Sequence, residues 1–327
     1  MSKPGLVIDI DGVIYRGGVL CEGTKEAFER VVQAGLPYVF ATNGGGYTEA
    51  NKAKALNELL GRDDIGGDSV VMAHTPFLGV DERLRTARVL VGGDLDSMGV
   101  MAAYGFTKAE HIDEYAARHP ELITHEMWTR MAIRPENVGP APPGYDEEPV
   151  AAIFLVHNSE HWGRDLQILV DVVRFSGAVP KTMDEYLAKK AAPADQIPVF
   201  IANPDLVYQD EYAVPRFTMG AFEVALRALY EAQMGVPLQL TVFGKPLSTT
   251  YGYIADILRA RNAGDVYAIG DNPLSDIKGA NAMGERWHSI LVRTGVFQGA
   301  ENDADHPAKH VVANFAAAVD LVLSRTA

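Results

Sequence analysis

Cysteine is almost missing from this chain: Cys21 is the only one in 327 residues, so no internal disulfide can staple the fold. Asn-x-Ser/Thr acceptors are absent as well, and both absences fit a reducing compartment. No stretch approaches the roughly 18 uninterrupted apolar residues of a membrane-spanning helix. The first apolar run starts at Gly5, which leaves no room for a signal or transit peptide. A cytoplasmic protein is therefore expected, with mitochondrial residence the alternative should a leader precede this sequence. Runs of Lys and Arg are also missing: 29 basic residues face 43 acidic ones, a formal charge of -14. That balance excludes nucleic acid polymers and anionic membranes as expected partners. Fixed-period repeats and low-complexity tracts are absent.

What is present is an alternation of short apolar runs and helical periods. Gly5 to Asp9 (GLVID) reads as a strand, and Thr24 to Gly35 as a helix with Ala27, Val31 and Val32 on one face. Pro37 to Ala41 and Thr48 to Leu60 repeat the pair, followed by strands at Ser69 to Met72 and Arg88 to Val91 and a helix after Asp94. From Phe106 to Gly144 the pattern weakens, and Pro140 to Gly144 (PAPPG) reads as a loop. A second α/β unit starts at Val150 to Val156, with Leu166, Leu169, Val170 and Val173 as one helix face.

The last third returns to a clear rhythm: strand at Leu240 to Phe243, helix at Ser248 to Ala260, strand at Val266 to Ile269, helix at Ser275 to Met283, strand at Ser289 to Val292. Val319 and Leu323 mark a final helix. The expected fold is α/β, a doubly wound, Rossmann-like parallel sheet built from residues 1–85 and 215–327, with an α/β cap inserted over 86–214.

In open parallel sheets ligands bind beyond the carboxyl ends of the strands. Four such places carry chemistry. Asp9 and Asp11 end the first run, and two carboxylates so close invite a cation or a proton. Thr42, Asn43 and Gly44 to Gly46 offer a hydroxyl, an amide and open backbone N–H groups, an anion cradle. Lys245 contributes an ammonium, while Asp271, Asn272 and Asp276 supply hard oxygens suited to Mg²⁺. A carboxylate can attack phosphorus and form an acyl phosphate, so Asp9 is the candidate nucleophile and Asp11 the candidate acid/base. Lys245 and a metal would neutralise the phosphoryl oxygens in a field that otherwise repels anions.

Other readings of these residues are weaker. A calcium loop would need ligands where Val13 and Tyr15 stand, and a P-loop would need Ser or Thr where Pro246 stands. His157 and His161 have zinc-like spacing but no third ligand; His306 and His310 read as surface loop. Tyr15 and Arg16 either touch substrate or pack the turn, and Asn203, Pro204, Asp205 and Tyr208 either face the site or form a turn.

These strings, Asp-x-Asp-Gly-Val at Asp9, Thr-Asn at Thr42, Lys245 and Gly-Asp-x-x-x-x-Asp at Gly270, resemble the four motifs of the haloacid dehalogenase superfamily. The long insertion between Thr42 and Lys245 resembles subclass IIA, the NagD-like phosphatases with a C2-type cap. The strings TNGGG, HWGRDLQ, ANPDLV, MGAF and GDNPLSDIKGAN are most similar to the cat eye syndrome critical region protein 5 group. One departure is Gly44, where many members carry a second Asn.

The resemblance implies an Mg²⁺-dependent phosphatase for a small-molecule phosphate ester. It implies a metal held by Asp9, the backbone carbonyl of Asp11 and Asp271, supported by Asn272 and Asp276, with Thr42, Asn43, Gly44 and Lys245 on the phosphate. A phosphotransferase and a weakly catalytic binding protein of the same fold are the alternatives. A homodimer remains open.

Overall fold

The computed structural model describes residues 2–128, 131, 133, 148–190, 195–208 and 214–325; the PAPPG stretch expected to be a loop lies outside them. The chain divides into two compact units. The first comprises Met1–Pro76, Gln209–Pro215 and Phe243–Ala327, the second Phe77–Tyr208 and Arg216–Val242.

A six-stranded sheet organises the first unit. Its order is His310–Val312, Trp287–Val292, Val266–Gly270, Gly5–Ile8, Tyr38–Ala41 and Val70–Val71, all parallel. Strands here are apolar throughout because both faces are covered. Leu6 and Ile8 pack into one core with Phe28 and Val31 of helix Thr24–Gln33 and with Val319 and Val322 of helix Phe315–Ser324. Val7 points the other way, into a core with Tyr251, Ile254 and Leu258 of helix Ser248–Ala260. His310, expected in a loop, opens the edge strand.

Gly5–Ile8 is where the winding reverses. From it the chain proceeds to Tyr38–Ala41 on one side, and the returning Val266–Gly270 pairs on the other, Ile8 opposite Ile269. The crevice of such a sheet opens at this point, beyond the two carboxyl ends.

The second unit holds a sheet ordered Thr241–Phe243, Val199–Ala202, Ala152–Leu155, Val89–Gly92 and Ala109–His111. Three findings depart from the expectation. Residues 216–242, expected in the first unit, belong to the second, because helix Met219–Met234 buries Phe222, Leu226 and Tyr230 in that unit's core. The strand preceding Lys245 likewise sits in the second unit's sheet. The weak region after Phe106 also contains order: strand Ala109–His111 and helix Ile112–Arg118. Glu110 of that strand is buried and pairs with Arg88 at 2.9 Å and with Arg118, so a charge occupies a core position.

Candidate active site

Asp9 leaves strand Gly5–Ile8 with its backbone N–H bonded to the Ile269 carbonyl at 2.9 Å. The neighbouring strand delivers Asp271 directly after Gly270. A π-helical turn, Pro273–Ile277, then brings Asp276 back to the same place. The sequence led us to expect a plain helix from Ser275. The wider turn is built by Asn272, whose side chain accepts from the Leu274 N–H at 3.0 Å while its own N–H donates to Asp276 Oδ2 at 3.1 Å. Such π turns recur at functional sites.

The result is a triad of carboxylates. Oxygens of Asp9, Asp271 and Asp276 lie within 4.8 Å of one another, the single grouping among the described residues that could hold a metal ion. Lys245 meets them from the side: its ammonium donates to Asp9 Oδ1 at 2.6 Å, to Asp276 Oδ1 at 2.6 Å and to the Ala41 carbonyl at 3.0 Å. Its three donors are thereby committed. All four residues are buried, none more than 7% exposed.

Burial and the Asp276 charge hold the Asp9 carboxyl well above the usual range, against the pull of Lys245. Burial followed by Asp276 raises Asp271 to about 6. Burial works against the Lys245 ammonium, yet Asp276 and Asp9 overcome it and hold its proton more firmly than usual. Three carboxylates against one ammonium leave an excess of two negative charges in a buried site. A divalent cation with a taste for oxygen relieves that repulsion, so the residues present fit the Mg²⁺ expected from the sequence.

The second strand end is tied to the other motifs by side-chain hydrogen bonds. The Asn43 amide bonds the backbone of Lys245, donating to its carbonyl at 2.8 Å and accepting from its N–H at 2.7 Å. That side chain positions the lysine, which leaves backbone groups as what Asn43 can turn to an anion. Thr42 Oγ1 donates to Asp11 Oδ2 at 3.2 Å and accepts from the Gly44 N–H at 2.9 Å. Asp11 itself is exposed and stands apart from the buried triad.

A third loop, unremarked in the sequence, completes the wall. After strand Trp287–Val292, the Val296 N–H donates to Asp271 Oδ2 at 2.5 Å and Thr294 Oγ1 to the Gly12 carbonyl at 2.5 Å. Gly295 and Gly12 flank that carboxylate so tightly that a Cβ would sit 1.8 Å and 2.4 Å from Asp271 Oδ2. The Tyr251 hydroxyl donates to the Asp276 carbonyl at 2.8 Å. Backbone donors and a core tyrosine leave no motif to read; a Thr-Gly pair just after an apolar run was the one signal available.

Two of the remaining candidates have partners within their own segment of the fold. His157 pairs with Asp94. Asn203, at φ 75°, accepts from the Asp205 N–H at 2.8 Å as a turn does.

Known proteins resemble this chain in sequence and in fold. The sequence profile of the haloacid dehalogenase-like hydrolases matches residues 6–107, and a second, HAD-hydrolase-like profile matches 242–318. A cardiolipin synthase (CMP-forming)/mitochondrial hydrolase fusion protein of Schizosaccharomyces pombe is 31% identical over 326 residues, 97% of this chain. The chain spans 52% of that protein's length. A mitochondrial hydrolase of Saccharomyces cerevisiae is 26% identical, covering 90% of this chain and 88% of its own. Among solved structures, a glycerol phosphate phosphatase of Mycobacterium tuberculosis in complex with magnesium superposes with a TM-score of 0.62 at 18% identity, over 97% of this chain and 76% of its own.

Proposed function

The chain belongs to the haloacid dehalogenase-like hydrolases, in the subclass, IIA, whose second α/β unit lies between the threonine and lysine motifs, and on that footing we propose a phosphatase for small phosphate monoesters. The observation that carries the reading is the Lys245 ammonium, 2.6 Å from both Asp9 and Asp276 at the reversal point of the sheet. A nucleophilic carboxylate and a phosphate share a charge sign, and this arrangement holds a cation beside the carboxylate that would attack.

Asp9 takes the phosphoryl group, forming an Asp9 Oδ–P bond as the ester P–O bond breaks. Asp11 gives its proton to the leaving oxygen and later takes one from the water that releases phosphate. Asp9, Asp271 and the Asp11 carbonyl would hold Mg²⁺, with Asp276 supporting them; when bound, the ion supplies Lewis-acid charge at the phosphoryl oxygens. Thr42 and the backbone at Asn43 and Gly44 face the phosphate. The glycerol phosphate phosphatase likeness supports a small ester, and the mitochondrial names of both relatives support the mitochondrial alternative for its compartment.

The test is phosphate release from a broad panel of phosphorylated metabolites, with Mg²⁺ or EDTA, for wild type and Asp9→Asn. Metal-dependent release that vanishes in the variant establishes the activity. Release equal in both proteins for every substrate sinks the reading in favour of a binding protein.

A further inference from the structure

Helix Ser248–Ala260 begins three residues after Lys245. Two consecutive side chains of its first turn, Thr250 and Tyr251, are fully buried. The Thr250 hydroxyl oxygen accepts from the Gly244 N–H at 2.8 Å. Gly244, at φ 110°, is the residue that leads into Lys245, so the main chain entering the lysine is held from the helix.

Tyr251 grips the other motif. A carbonyl can only accept, so the phenol is the donor: its hydroxyl lies 2.8 Å from the Asp276 carbonyl oxygen and 3.4 Å from that of Ser275. The ring is packed against Gly279, where a Cβ would sit 2.0 Å from Tyr251 Cε2, and edge-on to Trp287 at a centroid distance of 5.7 Å. Phenylalanine would fill that space with no polar atom to satisfy. What the hydroxyl adds is a hold on the π-helical turn that carries Asp276.

Neighbouring residues of one helix thus fasten the main chain on both sides of one buried ion pair, in which the Lys245 ammonium donates to Asp276 Oδ1 at 2.6 Å. We propose that Thr250 and Tyr251 are positioning residues that set the separation of Lys245 and Asp276, and through it the place of the ammonium beside Asp9. The inference rests on the phosphatase reading above. Asp9 changes its bonding during turnover and Asp276 does not, so Asp276 is the fixed end from which the ammonium is aimed.

The test uses the full chain with Mg²⁺ and the best ester of the panel, comparing wild type, Tyr251→Phe, Thr250→Val and Thr250→Ser. Thermal unfolding shows how much of each protein is folded, and rates are taken per folded enzyme. A misplacement near 1 Å costs about 100-fold in rate; loss of one of two braces is expected to lower kcat about tenfold in Tyr251→Phe and Thr250→Val. KM should stay within about twofold, the mark of an interaction spent on the transition state. Thr250→Ser, which keeps the acceptor oxygen, should recover most of the loss.

A double-mutant cycle separates the brace from packing. On top of Asp276→Asn, Tyr251→Phe should cost less than about twofold more, because its effect passes through Asp276. Should Asp276→Asn be silent, the kcat and KM pattern and the serine rescue decide alone. Unchanged kcat in a destabilised Tyr251→Phe, a loss carried by KM, or a loss that repeats in full on Asp276→Asn overturns the inference and leaves the phosphatase reading standing. A wild type that turns over no ester removes both.

Discussion

Asn43 holds Lys245 by the backbone across 202 positions of sequence, one hydrogen bond to its N–H and one from its carboxamide to its carbonyl. The lysine ammonium is aimed by its main chain, and the main chain is aimed by an amide.

Replacing that amide leaves buried backbone groups without partners. Asn43→Ala is expected to cost about 1–3 kcal/mol of stability and to lower kcat, since a displaced ammonium stabilises the transferring phosphoryl group less. Urea unfolding and steady-state kinetics check both halves; unchanged kcat in a destabilised protein would assign Asn43 to folding only.

Gly295→Ala tests the tight wall around Asp271. No room exists for the new methyl 1.8 Å from a carboxylate oxygen, so either the loop or Asp271 moves. A displacement near 1 Å at reacting groups costs about 100-fold in rate. The expected outcome is a folded protein, shown by its circular dichroism, with at least that loss of phosphate release.

Removal of metal should be visible without any substrate. A cation that binds only the native state adds about 2.7 kcal/mol at 100 times its Kd. Mg²⁺ should therefore raise the melting temperature of EDTA-stripped protein. Asp271→Asn should lose the increment and gain stability without metal, since one of three repelling carboxylates has gone.

The second unit has its own liability. Glu110→Ala leaves Arg88 buried with one partner fewer, and breaking a buried pair costs about 3–5 kcal/mol. The double variant Arg88→Met, Glu110→Leu should recover most of that in denaturant unfolding.

A pH dependence follows from His111 and Asp113 of that unit. Burial works against the charged imidazole, but Asp113 and the Gly93 carbonyl outweigh it, so the folded His111 holds its proton above the usual 6.5. Its contribution is complete below about pH 6.5 and is lost as pH rises through the folded value. Asp113, held down to about 2 against burial by His111 and Arg164, contributes above its unfolded value near 4 and loses that contribution as pH falls toward 2. Thermal unfolding of His111→Gln between pH 5.5 and 8.5 should show a flatter profile than wild type.

The sequence made the first unit readable because its strands are buried on both faces and end abruptly in polar residues; Asp9, Thr42 and Asp271 could be found that way. The strand before Lys245 looked the same yet pairs in the other sheet, since an apolar run does not say which sheet receives it. Ala109–His111 stayed hidden because Glu110 puts a charge where the pattern expects a hydrocarbon. The loop at Thr294 to Val296 acts through a backbone N–H, a group every residue but proline owns, so its role had no spelling in the sequence.

The pairing of Gly5–Ile8 with Val266–Gly270 also orders events during synthesis. Asp9 emerges from the ribosome long before Asp271 and Lys245, whereas Phe77–Tyr208 and the helix after it form a nearly continuous stretch with a core of their own. The second unit can close on itself while the first waits, its central strand unpaired on one side, for a partner still to be translated. Chain termination anywhere before Val266 would thus release a nascent protein that carries Asp9, the proposed nucleophile, and an exposed strand edge, without Asp271 and Asp276 and prone to pair with the wrong neighbour.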